Sequence, residues 1–116
     1  IYVRAFEQLE GLPIKAAAHI TGGGLLENLP RVLPEGTAVK LYKDSWTVPP
    51  IFTLLQKLGE VEIVEMYRTF NMGIGMVLII PQQHVSEAVN RINAAADYKA
   101  QIIGEVVPGN RQVILP

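Results

Sequence analysis

The stretch HITGGGLLENLP, residues 19–30, decides how the fold is read. The apolar run before it, residues 14–20, has the length and composition of a buried strand. Three consecutive glycines follow, Gly22, Gly23 and Gly24, and then Leu25, Leu26 and Leu29 are spaced like one helix face. The order is strand, glycine turn, helix start. Glycine tolerates positive φ and lacks a Cβ, so a ligand can come close to its backbone. Successive N–H groups in such a turn, with a helix start behind them, form a concave site for an anion such as phosphate. The same pattern also serves as a plain strand-to-helix connection, the commoner use of clustered glycines. It is neither a Walker loop, since no Lys-Ser or Lys-Thr follows, nor a GxGxxG fingerprint.

Working outward, residues 2–10 read as a helix with Tyr2, Val3, Phe6 and Leu9 on one face, ended by Gly11-Leu12-Pro13. The chain starts at Ile1 with that helix already under way, so a piece of a longer protein, cut upstream, is expected. Pro30 confines the helix after the glycines to residues 25–29. Pro34-Glu35-Gly36 is a turn, and residues 37–42 form a strand with Val39 and Leu41 on one face. A loop over residues 43–48 carries the only tryptophan, Trp46. Pro49 and Pro50 suit a first helical turn, and Ile51, Leu54, Leu55 and Leu58 give an amphipathic helix stopped by Gly59. Its apolar face is expected to meet the core rather than a membrane. A short helix follows near residues 62–68.

Residues 73–80 are almost wholly apolar and end at Pro81, the mark of a central strand covered on both faces. Residues 83–96 make a helix with Val85, Ala88, Val89, Ile92 and Ala96 inward. A strand over 100–107, a Pro108-Gly109-Asn110 turn and a last strand over 113–115 close the chain. Alternating helices and strands predict an α/β (α+β) fold, one domain over residues 1–116, with a mixed β-sheet layered with helices. The closing pair of strands is what makes the sheet mixed.

Composition narrows the function. Of the 116 residues 49% are hydrophobic and only 18% charged, below the roughly 25% charged content of ordinary soluble domains. An apolar face that contacts another domain or subunit is therefore expected. The net charge is -1, without the basic excess of a nucleic-acid binder. There is no cysteine, which excludes disulfides, thiolate metal sites and cysteine nucleophiles. No run is long enough to span a membrane, and no signal peptide is visible.

A second stretch, MYRTFNMGIGM over residues 66–76, runs into the central apolar strand. Arg68 offers a fixed charge and five donors for a phosphate or carboxylate. Thr69 and Asn71 add neutral hydrogen-bonding groups. Gly73 and Gly75 thin the strand, as happens where a ligand or another backbone comes close. The structural alternative is a solvated Arg68, core Phe70 and Met72, and glycines that relieve crowding. His19 beside the glycines is a candidate proton-transfer or anion-binding residue, or a satisfied core histidine. His84 reads as an exposed residue of a helix's first turn. Glu27 and Asn28 have no visible partner. No carboxylate pair has general acid/base spacing, and no cluster has metal-ligand spacing.

Three motifs in order, HITGGGLLENLPRVLP (residues 19–34), SWTVPPIF (45–52) and MYRTFNMGIGMVL (66–78), resemble the aminoimidazole ribonucleotide synthetase family, also called phosphoribosylformylglycinamidine cyclo-ligase. The likeness runs along the whole chain and is to the C-terminal domain of that family alone. It implies an ATP-dependent ligase of purine biosynthesis that closes the imidazole ring of formylglycinamidine ribonucleotide. It further implies a preceding N-terminal domain, absent here, that carries most of the ATP and Mg²⁺ site and forms a homodimer. The C-terminal domain would form one wall of a cleft beside it, in a cytoplasmic enzyme. By this resemblance HITGGG and RTFN face the cleft. Gly22, Gly23 and Gly24 then bind a phosphate, and Thr21, Arg68, Thr69 and Asn71 line the substrate site, with His19 as the catalytic candidate. The chain alone is expected to be inactive. The same fold serves ATP-dependent relatives such as formylglycinamidine ribonucleotide synthase. A stand-alone, non-catalytic phosphometabolite-binding module is the alternative of a different class.

Overall fold

All five segments expected as strands pair, but in two sheets rather than one. The computed structural model describes residues 2–95 and 98–116, so the inward place expected of Ala96 lies outside the described residues. The elements in order are α1 (Val3–Gln8), β1 (Ala16–His19), α2 (Gly24–Asn28), a 3-10 turn (Pro30–Val32), β2 (Thr37–Leu41), α3 (Pro50–Gly59), α4 (Ile63–Thr69), β3 (Met76–Ile79), α5 (Gln82–Ala94), β4 (Gly104–Pro108) and β5 (Val113–Ile114). The α+β class follows the alternating sequence pattern.

Strands β1 and β3 form an antiparallel ribbon with Ala18 opposite Val77 and His19 opposite Met76. The other sheet has the order β4-β2-β5. β2 is antiparallel to β4 and parallel to β5, with Val39 opposite both Val106 and Val113. The expected closing pair is thus corrected. β4 and β5 flank β2 instead of pairing with each other, and the parallel β2–β5 contact is what makes the sheet mixed. β3 is corrected in part. Val77 and Ile79 pack on the main core while Leu78 and Ile80 pack against Leu9, Ala88 and Ile92, so both faces are covered. Yet among the described residues β3 has one strand partner, β1, and is not central.

The main core joins the inner side of β1, α2, β2 and α4 through Ala18, Ile20, Leu25, Leu29, Leu41, Met66 and Tyr67. Leu25, Leu29 and Met66 are fully buried. Trp46, from the loop before α3, fits edge-on against Tyr67 and donates its Nε1–H to Met72 O at 3.1 Å. A buried indole needs such an acceptor, and here it fixes the turn that leads into β3. Met72 holds φ 55° and Gly73 φ 95° in that turn. A Cβ on Gly73 would lie 2.5 Å from Pro49 Cδ, so the turn and the start of α3 fit only without it.

Helix α3 forms where its periodicity predicts, but its apolar stripe turns outward. Ile51, Leu54 and Leu58 are 52%, 50% and 75% exposed, and α3 has no buried residue. Ile63 and Val64 of α4 are exposed as well. Periodicity states that an apolar face exists, not what covers it. The helix also ends one residue later than expected, with Glu60 at φ 52° as the left-handed cap.

These positions predict opposite outcomes for two leucines. Leu29→Ala should cost about 2–5 kcal/mol in denaturant unfolding, the range for a filled core site. In the 116-residue chain by itself, Leu58→Ala should stay within about 0.5 kcal/mol, as at other exposed positions. A large loss for Leu58→Ala would place α3 against the core.

Candidate functional site

The two sequence stretches singled out as chemistry-bearing meet in space. An open pocket of about 240 Å³ has Thr21 and Gly22 on the glycine-loop side and Thr69, Phe70 and Asn71 from the end of α4, with apolar lining from Ile20 and Phe52. The junction is Gly24, at φ 59°, where a Cβ would lie 2.1 Å from Tyr67 O and 2.6 Å from Phe70 O. Only a residue without a side chain lets α2 start this close to the carbonyls that end α4. Gly24 is therefore a packing glycine. Its N–H is also taken, donating to Thr21 O at 3.0 Å to close the turn.

Gly22 and Gly23 differ from Gly24. A Cβ on Gly22 would meet nothing within 4 Å, and Gly22 does not have positive φ. Gly23 holds φ 97°. Among the described residues, the N–H groups of Thr21, Gly22 and Gly23 have no hydrogen-bond acceptor. Three successive unpaired donors beside an open pocket are the arrangement that anion-binding backbone nests use.

Asn28 organises the other side of the loop. Among the described residues it is the one polar residue buried with the core, and its Nδ2 donates to Gly24 O at 2.8 Å, Gly22 O at 3.2 Å and Thr21 O at 3.3 Å. The sequence held a signal for it. Residue 28 stands one helical turn after Gly24, and helical side chains lean back toward the N-terminus. Phe52, too, was not anticipated at the pocket; its ring lies 5.6 Å from that of Phe70.

Asn71 and Thr69 line the pocket as exposed residues. Asn71 Oδ1 accepts the Gly73 N–H at 2.8 Å, which folds the turn back and anchors the carboxamide. Arg68 stands beside the pocket rather than in its lining. Its guanidinium pairs with Glu65 and lies 3.9 Å from Glu27 Oε2. Glu27 thus acquires partners that its sequence position did not reveal. A Cβ on Gly23 would lie 2.9 Å from Glu27 Oε1, so this carboxylate flanks the loop while Arg68 offsets its charge.

His19 is not brought into the pocket. It is exposed on β1, with Tyr2 edge-on to its ring at 5.9 Å. Tyr2 also explains Gly75, where a Cβ would lie 2.0 Å from the tyrosine hydroxyl. His84 is half-buried rather than exposed. Burial raises the Tyr67 phenol above its ordinary pKa. A larger cavity, about 650 Å³, lies between β3, α5 and residues 98–106. Gly73 and Gly75 line it, but His19, Thr21, the loop glycines, Arg68, Thr69 and Asn71 do not. Among the described residues no three histidine or carboxylate side chains stand together as a metal site, and no helix is long and apolar enough to cross a membrane.

The chain is an α+β domain in which a glycine turn is joined to a second polar loop. The chain belongs to the family described as AIR synthase related protein, C-terminal domain, whose model matches residues 2–115. It is 53% identical over 115 residues to a phosphoribosylformylglycinamidine cyclo-ligase of Caldanaerobacter subterraneus, covering 99% of this chain and 34% of that protein. It is 50% identical over 107 residues to the protein of that name from Geobacter metallireducens, covering 91% and 30%. The chain therefore spans about a third of the length of these relatives. In fold it is similar to HypE of E. coli, a hydrogenase maturation protein, with a TM-score of 0.74 at 18% identity, over 99% of this chain and 36% of that one.

The two glycines should respond differently to a methyl group. Gly24→Ala should destabilise the domain by about 3 kcal/mol, as overpacking against fixed backbone does. Gly22→Ala should change stability by less than about 1 kcal/mol. Parallel denaturant titrations check this, and equal effects would contradict the packing role of Gly24.

Proposed function

We propose that this chain is the wall of an active-site cleft in an ATP-dependent cyclo-ligase that converts formylglycinamidine ribonucleotide to aminoimidazole ribonucleotide in purine biosynthesis. The observation that carries the reading is the shared pocket. Two polar stretches, at residues 21–22 and 69–71, converge on it, and its loop presents unpaired N–H donors. The names of the relatives supply the reaction class. In this reading the N–H groups of Thr21, Gly22 and Gly23 bind a phosphate, and Thr69 and Asn71 orient the rest of the ligand. Arg68 lies close enough to add its charge once a stronger anion competes with Glu27 and Glu65.

Most of the ATP site, with its Mg²⁺, belongs to the other wall of the cleft. The donors described here suit a phosphate, whereas no three acidic or histidine side chains among the described residues stand together to hold the metal. The ATP supplies the activation of the substrate oxygen; this chain's residues bind and orient. The exposed apolar face of Ile51, Leu54, Leu58, Ile63 and Val64 is the surface on which the nucleotide-binding half packs. It adjoins the pocket through Phe52 on the same helix, and the relatives are about three times the length of this chain. Dimerisation falls to that other half.

Gly22→Val tests the site, because it fills the pocket from a position with room for a side chain and no left-handed backbone. In calorimetry on the intact protein it should weaken either formylglycinamidine ribonucleotide or ATP by about tenfold or more, a loss of about 1.4 kcal/mol. Whichever ligand is affected identifies the phosphate. Unchanged affinity for both would contradict the reading. The purified 116-residue chain by itself should turn over no ATP, and measurable turnover would contradict the division between the two halves.

A further inference from the structure

We infer that Asn28 is the positioning residue of this site, the group that decides which face of the glycine loop presents donors; the inference rests on the phosphate reading above. Asn28 ends α2 and is 6% exposed. Its carboxamide carries two N–H groups on Nδ2 but faces three carbonyl oxygens, those of Gly24, Gly22 and Thr21. The closest takes a full hydrogen bond and the other two share.

The orientation of that carboxamide is fixed from both ends. Oδ1 accepts from Arg31 Nη1 at 3.3 Å, and a guanidinium has only donors to give. A flipped amide would set its nitrogen against Arg31 and its oxygen against three carbonyl oxygens. Both contacts would be repulsive, so one orientation survives.

The consequence for the loop follows from peptide geometry. In a planar trans peptide the C=O and the N–H of one unit point in opposite directions. Drawing the Thr21 and Gly22 carbonyls onto Asn28 turns the Gly22 and Gly23 N–H groups away from it. These two N–H groups are among those left without an acceptor, while the Gly24 N–H closes the turn on Thr21 O. Asn28 therefore sorts the loop into an acceptor side that it satisfies and a donor side left for the ligand. Without it the Gly22 carbonyl is free to rotate toward the pocket and repel an anion, and the Thr21 carbonyl is held by the Gly24 N–H alone. The loop would then have to be reordered on binding, a cost that a preorganised site avoids.

A residue that only stabilised the fold would lower the melting temperature and leave anion affinity alone. The test uses the intact protein with inorganic phosphate as the probe. Amide signals of Gly22 and Gly23 are followed by NMR, at a temperature where circular dichroism shows each variant folded. The unsubstituted protein should show saturable shifts at both glycines. Asn28→Asp keeps the shape but turns a carboxylate on three carbonyls, and it should weaken phosphate by about tenfold or more. Arg31→Met leaves Asn28 in place and frees its oxygen from an exposed partner, so the fold is retained even where N28D unfolds. It should weaken phosphate by about two- to fivefold. Affinities equal to the unsubstituted protein in both variants would overturn the role of Asn28 while leaving the loop a phosphate site. Absence of saturable shifts at Gly22 and Gly23 in the unsubstituted protein would overturn the phosphate reading and this inference with it.

Discussion

The contact on which the rest of the structure depends is the one at Gly24. Its missing side chain lets the start of α2 close on the Tyr67 and Phe70 carbonyls, where a Cβ would have 2.1 and 2.6 Å of room. That approach ties the turn after β1 to the end of α4. The polar residues of the two stretches then share one pocket. On one side, Asn28 satisfies the loop carbonyls. On the other, the Trp46 bond to Met72 O and the Asn71 bond to the Gly73 N–H hold the turn that follows α4. The site is thus a consequence of backbone packing before it is a matter of side-chain chemistry.

Charge around the pocket is arranged with restraint. The loop offers neutral backbone donors, and the nearest carboxylate, Glu27, is offset by Arg68, which also pairs with Glu65. Arg68 and Glu27 are half-exposed, so solvent screens these pairs and they contribute little to stability. In the proposed function their interest is as a reserve of positive charge. A phosphate carries more charge than either carboxylate, and Arg68 can exchange one partner for another at small cost.

The sequence made the element order legible because the relevant signals are local. Proline at helix starts, glycine after strands and helical periodicity each act within a few residues, and α1 to α5 form where they predict. What was not legible is long-range. The stripe on α3 has the right period, but whether Leu58 meets the core depends on neighbours that period cannot name. β4 and β5 follow each other in sequence, yet β2 inserts between them. The three glycines read alike, though Gly24 serves packing while Gly22 stands in open space. The pairing of HITGGG with RTFN was anticipated through family likeness rather than spacing. Asn28 escaped notice because its partners are carbonyls of the loop, and its place one helical turn after Gly24 was the only trace of them in the sequence. His19, prominent beside the glycines, stands outside the pocket against Tyr2 because strand alternation puts it opposite Ala18 and Ile20.

The pocket's two walls belong to one ligand only if that ligand's phosphate rests on the loop. A crystal structure of the intact protein with formylglycinamidine ribonucleotide and an ATP analogue is the direct test. A phosphate oxygen should lie within about 3 Å of the Gly22 and Gly23 nitrogens, with the same ligand touching Thr69 or Asn71. Both ligands bound elsewhere, with those two N–H groups facing only solvent or protein, would contradict the account.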